Sequence, residues 1–98
     1  MFTLDIFWLH IMQYVYVMKS EKDGDLYIGC TKDLRARVLL HNAKKVIATR
    51  RRTPFTLVYY EAYIHPKDAY SREKYLKTRW GHTHLYKNLN NFFNSQKI

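Results

Sequence analysis

The sequence predicts an α/β chain of the α+β type, in which a small three-stranded antiparallel sheet is flanked by helices in the order β-β-α-β-α-α. Two runs of alternating β-branched and aromatic residues are joined by a turn signal, and a third run follows an amphipathic stretch. The chain has 98 residues, of which 47% are hydrophobic. We therefore expect one hydrophobic core.

The three strands are predicted from this alternation and from the residues that end it. Residues 14–19 alternate as YVYVMK, and residues 26–30 form the return strand after the turn-forming Asp23-Gly24-Asp25. Residues 55–64, FTLVYYEAYI, make the longest β-like run, and a His-Pro pair follows it. The first two strands should form a hairpin.

The helices are predicted from capping residues and apolar spacing. The first is expected over residues 32–42, capped by Thr31 with help from an aspartate near its start. The second is expected over residues 65–80, with Gly81 at its C-cap. Thr83 is expected to cap a final helix that carries apolar residues toward the sheet.

The first residues fall outside this pattern. The stretch MFTLDIFWLHI is apolar, but it has no basic segment and no small-residue cleavage site, and it is too short to cross a bilayer. Regular patterning begins at the QYVYV stretch. We predict an N-terminal extension over residues 1–12 and a single domain over residues 13–98.

The charge balance indicates a polyanionic partner. There are 17 Lys+Arg against 8 Asp+Glu, a formal net charge of +9, which favours nucleic acid. A long basic amphipathic helix is absent from the sequence, so no membrane partner is expected. The single cysteine, Cys30, excludes an internal disulfide, argues against a cysteine-based zinc site and suits a cytoplasmic location. The oligomeric state is left open.

The first predicted helix carries two polar side chains beside its apolar stripe. At 100° per residue, Leu34 and Val38 lie together on one arc. Arg37 and His41 fall within the same arc. They are either a snorkelling arginine and a hydrogen-bonded histidine at the core edge, or parts of a site.

Ala69, Leu76 and Trp80 line one apolar face of the second predicted helix, and Glu73 lies in the middle of that face. A carboxylate on such a face costs free energy unless it is paired or binds a metal. Three explanations stay open: an i,i+4 pair with Lys77, a salt bridge to Arg37, or a metal ligand.

A basic stretch between the first helix and the third strand holds Lys44, Lys45, Arg50, Arg51 and Arg52. These side chains either form a solvated loop or contact phosphates, and the signal is not specific. The tyrosines of the third strand could stack on splayed bases, although tyrosines on a strand more often belong to a core.

Counting from Tyr27-Ile28-Gly29 places the unusual residues in one register. Tyr16, at the end of Tyr14-Val15-Tyr16, lies 11 residues earlier, Arg37 lies ten later and His41 lies 14 later. With Glu73 on the later helix, the chain resembles the GIY-YIG nuclease family, and most of all its small, single-domain bacterial members. The resemblance covers about residues 13–89, and the first motif departs from the family at its first two positions.

This resemblance implies hydrolysis of DNA phosphodiester bonds with one divalent ion, Mg²⁺ or Mn²⁺, bound chiefly by Glu73. Tyr16 would act as, or position, the general base for the attacking water, and Tyr27 would hydrogen-bond near the scissile phosphate. Arg37 would hold the phosphate and offset its charge, while His41 would orient or deprotonate a tyrosine.

Two further residues follow from the resemblance, and one competing function stays open. Gly29 would let the backbone approach the site, and Asn88 is the candidate for a late asparagine of the site. The alternative to an endonuclease is a non-catalytic nucleic-acid-binding module on the same fold, supported by the charge alone. The preferred DNA structure (single-stranded or branched), DNA versus RNA, and a role in repair or recombination are not readable from the sequence.

Overall fold

The computed structural model describes residues 11–96 and has the element order β-β-α-β-α-α-α. The strands are β1 (Gln13–Ser20), β2 (Leu26–Thr31) and β3 (Phe55–Tyr63), and the helices are α1 (Leu34–Asn42), α2 (Pro66–Leu76), α3 (Arg79–Asn88) and α4 (Asn90–Ser95). The predicted α+β fold is confirmed. The predicted extension over residues 1–12 lies mostly outside the described residues, and it stays a prediction.

The sheet has the order β2-β1-β3, with β1 antiparallel to both neighbours. Because side chains alternate along a strand, the central strand presents one set of residues to each face. Tyr16 is paired with Gly29 on one side and with Tyr60 on the other. Helices cover both faces of the sheet, and β1 contributes side chains to the hydrophobic cluster on each face.

One face holds the larger core, under α2, α3 and α4. Val15 and Val17 of β1 are fully buried there and pack with Ile28, Leu76 and Leu85. The other face holds a smaller core of Tyr16, Met18 and Phe55, with α1 residues packed against it. Burial of these apolar side chains is the main source of stability in a domain of this size.

The first helix begins later than predicted. Asp33, not Thr31, is its N-cap, and its carboxylate accepts a hydrogen bond of 3.1 Å from the backbone N–H of Ala36. Thr31 ends β2 instead. Both residue types cap helices well, so the position was decided by how far the hairpin pairing extends, which the local sequence does not show.

The predicted long second helix is two helices. The first of them ends at Leu76, and the Thr78 hydroxyl accepts a hydrogen bond of 3.1 Å from the Gly81 N–H, starting α3 at Arg79. The predictions that Gly81 is a C-cap and that Thr83 is an N-cap are therefore wrong. Trp80 is 77% exposed and does not face the core as predicted. A local cap at Thr78 supplied the break that apolar periodicity did not reveal.

A polar cluster attaches β3 to the helices on the larger-core face. The Glu61 carboxylate accepts hydrogen bonds from the hydroxyls of Tyr59 at 2.5 Å and Tyr63 at 2.6 Å, and it pairs with the Arg72 guanidinium at 2.9 Å. Burial and the neighbouring Glu61 carboxylate raise the pKa of both tyrosines to about 12. Tyr59 and Tyr63 are thus partly buried against the larger core, whereas Tyr60 is half exposed.

Residues 11–96 contain no helix long and apolar enough to cross a membrane.

Gly81 packs so closely on the end of α2 that a side chain has no room. A Cβ there would overlap the carbonyl oxygen of Tyr75 and the backbone of Leu76. We expect Gly81→Ala to lower the free energy of unfolding by about 1–3 kcal/mol, the usual cost of overpacking. Urea denaturation measures this, with Thr83→Ala, an exposed position of the same helix, as the control that stays within about 0.5 kcal/mol. Equal stability of the two variants would contradict the packing argument.

Candidate functional site

The smaller-core face of the sheet brings four of the predicted site residues together. Tyr16 lies on the central strand and Tyr27 on β2, while Arg37 and His41 are one turn apart on α1, which packs over them. The predicted arc on α1 is confirmed in position, because His41 is fully buried and Arg37 is half buried. The hairpin and the first helix therefore build one side of the candidate site.

A chain of two hydrogen bonds runs through the centre of this cluster. The Tyr16 hydroxyl lies 2.8 Å from His41 Nε2, and His41 Nδ1 lies 2.7 Å from the Thr49 hydroxyl. Tyr16, His41 and Thr49 are all at least 99% buried. Both nitrogens of the imidazole are thus satisfied inside the protein, which fixes the plane and position of the ring.

The Arg37 guanidinium is near enough to the Tyr16 hydroxyl to favour its ionised form. Its positive charge acts on both partners of the central hydrogen bond, lowering the pKa of the Tyr16 phenol and that of the His41 imidazole. A guanidinium beside a phenol favours the phenolate, which is the form that can take a proton from water.

Burial dominates the ionisation of this pair. Desolvation raises the pKa of Tyr16 above its ordinary value in spite of Arg37. Desolvation, followed by the repulsion from Arg37, lowers the pKa of His41 to about 4. Tyr16 and His41 are therefore both neutral at pH 7, and the hydrogen bond between them joins two uncharged groups.

Aromatic rings enclose the histidine. The Tyr27 ring centroid lies 5.1 Å from that of His41, and the buried Phe55 ring lies 6.2 Å from it. Tyr27 also lies 6.4 Å from Tyr16. These apolar faces exclude water from the imidazole, which accounts for its depressed pKa.

Gly29 is required by the position of Tyr16. It faces Tyr16 across the hairpin, and a Cβ at this residue would overlap the Tyr16 hydroxyl and ring. The absent side chain thus leaves room for the phenol, whereas the resemblance implied a glycine for backbone approach. The residue is needed, and the reason is contact with a side chain.

Glu73 lies on α2, which packs on the opposite face of the sheet, yet its charge reaches Tyr16. The carboxylate raises the pKa of both Tyr16 and Cys30 electrostatically. It forms the predicted i,i+4 pair with Lys77 at 3.0 Å, and its side chain is 22% exposed. The salt-bridge alternative with Arg37 is not among the ion pairs of residues 11–96.

A single carboxylate is the metal ligand available at this place. Within residues 11–96 no group of three or more His, Cys, Asp or Glu side chains is arranged to hold an ion. The donor set nevertheless fits Mg²⁺ or Mn²⁺, since Mg²⁺ keeps several waters and takes substrate phosphates as ligands beside one or two carboxylates. The Glu73 side chain is partly exposed, and its charge affects the pKa of Tyr16. A hydrated ion held by this carboxylate would therefore be accessible to a phosphate.

The basic loop between α1 and β3 is held in place at both ends. Asn42 makes two hydrogen bonds to the backbone of Phe55, at 2.7 and 3.0 Å, and the buried Ser20 hydroxyl donates to the Arg52 carbonyl at 2.6 Å. Lys44, Lys45, Arg50 and Arg51 are exposed on this loop. The loop therefore exposes four cationic side chains, and the hydrogen bond between Thr49 and His41 connects it to the site.

Arg52 differs from the other predicted phosphate contacts. Its guanidinium makes two hydrogen bonds to the Asp23 carboxylate, at 2.7 and 3.2 Å, and lies 5.5 Å from the Phe55 ring centroid. The pairing lowers the pKa of the Asp23 carboxyl to about 2. Arg52 thus joins the hairpin turn to β3, and its charge is partly neutralised.

Two other candidates lie away from the tyrosine–histidine pair. Asn88 contacts His84 at 2.8 Å, and His84 in turn contacts Arg72 of the Glu61 cluster. Cys30 accepts a hydrogen bond from Gln13, and burial raises the pKa of its thiol, as suits a structural residue at the end of a strand.

Thr49 was not predicted as a site residue, because the basic stretch around it indicated only phosphate contacts. Thr49 lies eight residues from His41 in an irregular segment, and no periodicity links the two positions. Phe55 and Asn42 were missed for the same reason. The one available signal was the polar threonine within a basic stretch, which does not predict burial.

With this fold and this set of side chains, the chain falls in the class of nuclease-superfamily catalytic domains. It belongs to the GIY-YIG family, because the profile of the GIY-YIG catalytic domain matches residues 12–90. GIY-YIG nucleases generally use a divalent metal and act on nucleic acid.

The chain is similar to proteins named UPF0213. It is 44% identical to the UPF0213 protein of Staphylococcus epidermidis over 66 residues, which cover 66% of this chain and 79% of that one. It is 44% identical to a UPF0213 protein of Clostridium perfringens over 70 residues, covering 67% and 71%. The solution NMR structure of the UPF0213 protein BH0048 from Bacillus halodurans is 32% identical, with a TM-score of 0.50, and the match covers 78% of this chain and 83% of that one.

The buried imidazole makes stability depend on pH in a defined window. His41 has a pKa of about 4 in the folded protein against 6.5 when unfolded, so between these values the unfolded chain binds a proton that the native one does not. The free energy of unfolding therefore falls as the pH drops, by on the order of 2 kcal/mol between pH 6.5 and pH 5. The contribution fades as the pH rises through 6.5 and is nearly absent about one pH unit above it.

Urea denaturation of the wild type and of His41→Gln at about pH 7 and pH 5 isolates this contribution. The wild type should lose more stability than the variant, because the glutamine does not titrate. An NMR titration of the His41 ring gives the pKa directly if the variant is poorly folded. Parallel pH curves, or an imidazole that titrates near 6.5, would contradict the assignment.

Proposed function

We propose that the protein is a divalent-metal-dependent endonuclease that hydrolyses phosphodiester bonds of DNA. The observation that carries this proposal is the buried Tyr16 hydroxyl, which is hydrogen-bonded to His41 and lies within electrostatic reach of the Arg37 guanidinium and the Glu73 carboxylate. Each of these groups has a separate part in moving a proton from water and in stabilising negative charge on phosphorus.

Tyr16 is proposed to deprotonate the attacking water, and His41 to take the proton of the Tyr16 hydroxyl. The 2.8 Å distance between Oη and Nε2 allows direct proton transfer. The proton leaves the phenol for the imidazole, and the phenolate takes a proton from water. The hydroxide forms the new P–O bond while the scissile P–O bond breaks, and the leaving alkoxide oxygen takes a proton from solvent. A phenol near pKa 10 is a weak base at neutral pH unless its anion is stabilised, and Arg37 supplies part of that stabilisation.

Arg37 and Tyr27 are proposed to bind the scissile phosphate. A half-buried guanidinium donates to phosphate oxygens and offsets the charge that accumulates in the transition state. Tyr27 is half buried beside the same imidazole and offers a hydroxyl as a donor. Both residues lie on the α1 side of the sheet, so one phosphate can meet both.

Glu73 is proposed to hold one Mg²⁺ or Mn²⁺ ion. When bound, such an ion supplies Lewis-acid stabilisation of the phosphoryl oxygens and of the leaving group. The carboxylate by itself disfavours a phenolate at Tyr16. Neutralising the Glu73 charge removes this opposition, which links the carboxylate to the base as well as to the phosphate.

The exposed cations of the ordered loop are proposed to hold the nucleic-acid backbone beside the site. Lys44, Lys45, Arg50 and Arg51 carry no described ion pair, whereas Arg52 is paired with Asp23. Contacts with phosphates position a strand without reading its sequence. We therefore propose a DNA substrate, single-stranded or branched, with little sequence selection, and a cytoplasmic protein acting in DNA repair or recombination.

The catalytic assignment is tested with purified protein and labelled single-stranded, duplex and branched DNA in the presence of Mn²⁺, Mg²⁺ or EDTA. Cleavage should require the metal, and Glu73→Gln and Arg37→Gln should each lower the rate at least about 100-fold, because each removes one electrostatic contribution to the transition state.

Arg79→Gln is the matched control for Arg37→Gln, since it removes the charge of an exposed arginine on α3. It should cleave at close to the wild-type rate. Cleavage that persists in EDTA, full activity of the Glu73 variant, or no cleavage of any substrate would refute the proposal.

A non-catalytic binding module is the second candidate, favoured by the four exposed cations of the ordered loop. Both functions need this surface, so we expect Lys44→Gln/Lys45→Gln to reduce the slope of log Kobs against log salt by up to about 2 for binding to single-stranded DNA. Lys67→Gln/Lys87→Gln removes the same charge from exposed positions on α2 and α3 and should leave the slope closer to that of the wild type. Equal effects of the two pairs would mean that the loop is not the binding surface. Binding that is unchanged by EDTA and by Glu73→Gln, without cleavage, would identify the binding module.

A further inference from the structure

Thr49 is the one member of the buried hydrogen-bond chain that has no part in the proposed reaction. Its hydroxyl lies 2.7 Å from His41 Nδ1, and its side chain is fully buried. It comes from the basic loop, whereas the other two members come from β1 and α1. A buried neutral imidazole carries its proton on one nitrogen only, so the partners of the ring decide which nitrogen that is.

The direction of the chain follows from the partners of the Tyr16 hydroxyl. Among the described residues, His41 Nε2 is the hydrogen-bond partner of the buried Tyr16 hydroxyl, and the proton of a buried hydroxyl needs an acceptor. If His41 Nε2–H donated to the phenol oxygen, the Tyr16 proton would have no acceptor at this partner. With Nε2 as an acceptor, the Tyr16 proton points at the histidine at 2.8 Å, and the ring proton is on Nδ1.

We propose that Thr49 is a positioning residue that holds His41 in the Nδ1–H tautomer by accepting a hydrogen bond from Nδ1. This inference rests on the proposed function. The hydrogen bond from Nδ1 keeps Nε2 as the acceptor for the Tyr16 proton. When that proton moves from Oη to Nε2, the Nδ1–H bond to Thr49 remains and stabilises the imidazolium that forms. Thr49 is fully buried, and it acts through its hydrogen bond to His41.

The same residue connects the proton chain to the basic loop. Thr49 is flanked by Arg50, and its backbone N–H and that of Arg50 both donate to the Val46 carbonyl. The turn that exposes the loop cations therefore also places the Thr49 hydroxyl inside the protein. The loop has two parts in the site, since it carries cations outside and fixes a tautomer inside.

Thr49→Val tests this role, because it replaces the hydroxyl with a methyl group of similar size. Thr49→Ser keeps the hydroxyl, and Thr56→Val makes the same change at an exposed position on β3. Two measurements are made on each protein: the ring ¹⁵N shifts of His41 by NMR, which distinguish the tautomers of the free protein, and kcat and KM for cleavage of labelled DNA with Mn²⁺.

The wild type, Thr49→Ser and Thr56→Val should show the Nδ1–H tautomer, and Thr49→Val should show the Nε2–H form or a mixture. Thr49→Val should lower kcat by about 10–100-fold, the usual effect of removing a partner that orients a functional histidine, with KM unchanged. A wild-type ring protonated on Nε2, or a Thr49→Val protein with wild-type tautomer and kcat, would overturn the inference. The NMR measurement of the tautomer needs no enzymatic activity, so it tests the role of Thr49 even if no substrate is cleaved and the proposed function fails. If Thr49→Val does not fold, the tautomers of the wild type and of Thr49→Ser decide the question.

Discussion

The hydrogen bond between the Tyr16 hydroxyl and His41 Nε2 connects the central strand to the helix that covers one face of the sheet. Both groups are buried in the free protein, and leaving either one unpaired would cost on the order of 1–3 kcal/mol. The position of α1, the choice of glycine at position 29 and the course of the basic loop all conform to this contact. A bond that holds the fold together is thus also the bond through which the proposed reaction moves its first proton.

The two faces of the sheet hold different parts of the structure. The face under α2, α3 and α4 holds an apolar core, the Glu61 cluster with its paired charges, and the helix that carries Glu73. The other face holds a smaller core in which aromatic rings surround the Tyr16 hydroxyl and the His41 imidazole. A chain of this length has a limited apolar area to bury, and a central strand that serves both faces lets it support a polar site without a second core.

The sequence sufficed for those parts of the structure that depend on short spacings. Alternation predicted the three strands, and the helical arc predicted that Arg37 and His41 face the sheet, because both patterns repeat within a few residues. The resemblance to the GIY-YIG family, carried by the spacing of Tyr16, Tyr27, Arg37 and His41, implied that these residues belong to one site. Glu73 was identified as a candidate because it lies on an apolar helix face. Its i,i+4 pairing with Lys77 is one of the three explanations that the sequence left open.

Other features depended on contacts that no local pattern encodes. The break after Leu76 arises because Thr78 caps a new helix, and apolar residues continue at helical spacing on both sides of it. Thr49 and Phe55 reach the site through a loop whose composition indicates only solvent exposure. Tertiary packing decides such positions, and a single sequence does not display it.

The resting site is built so that its base is not ionised. Burial lowers the pKa of His41 to about 4 and raises that of Tyr16 above its ordinary value, so a free-energy barrier opposes transfer of the phenol proton to the imidazole in the free protein. Burial causes most of this barrier, and an anionic phosphate beside the imidazole and a cation beside the phenolate would both lower it. Under the proposed function, the reactive form therefore arises only when substrate and metal are present together. The small aromatic core that buries Tyr16 and His41 thus keeps the phenol protonated in the absence of substrate.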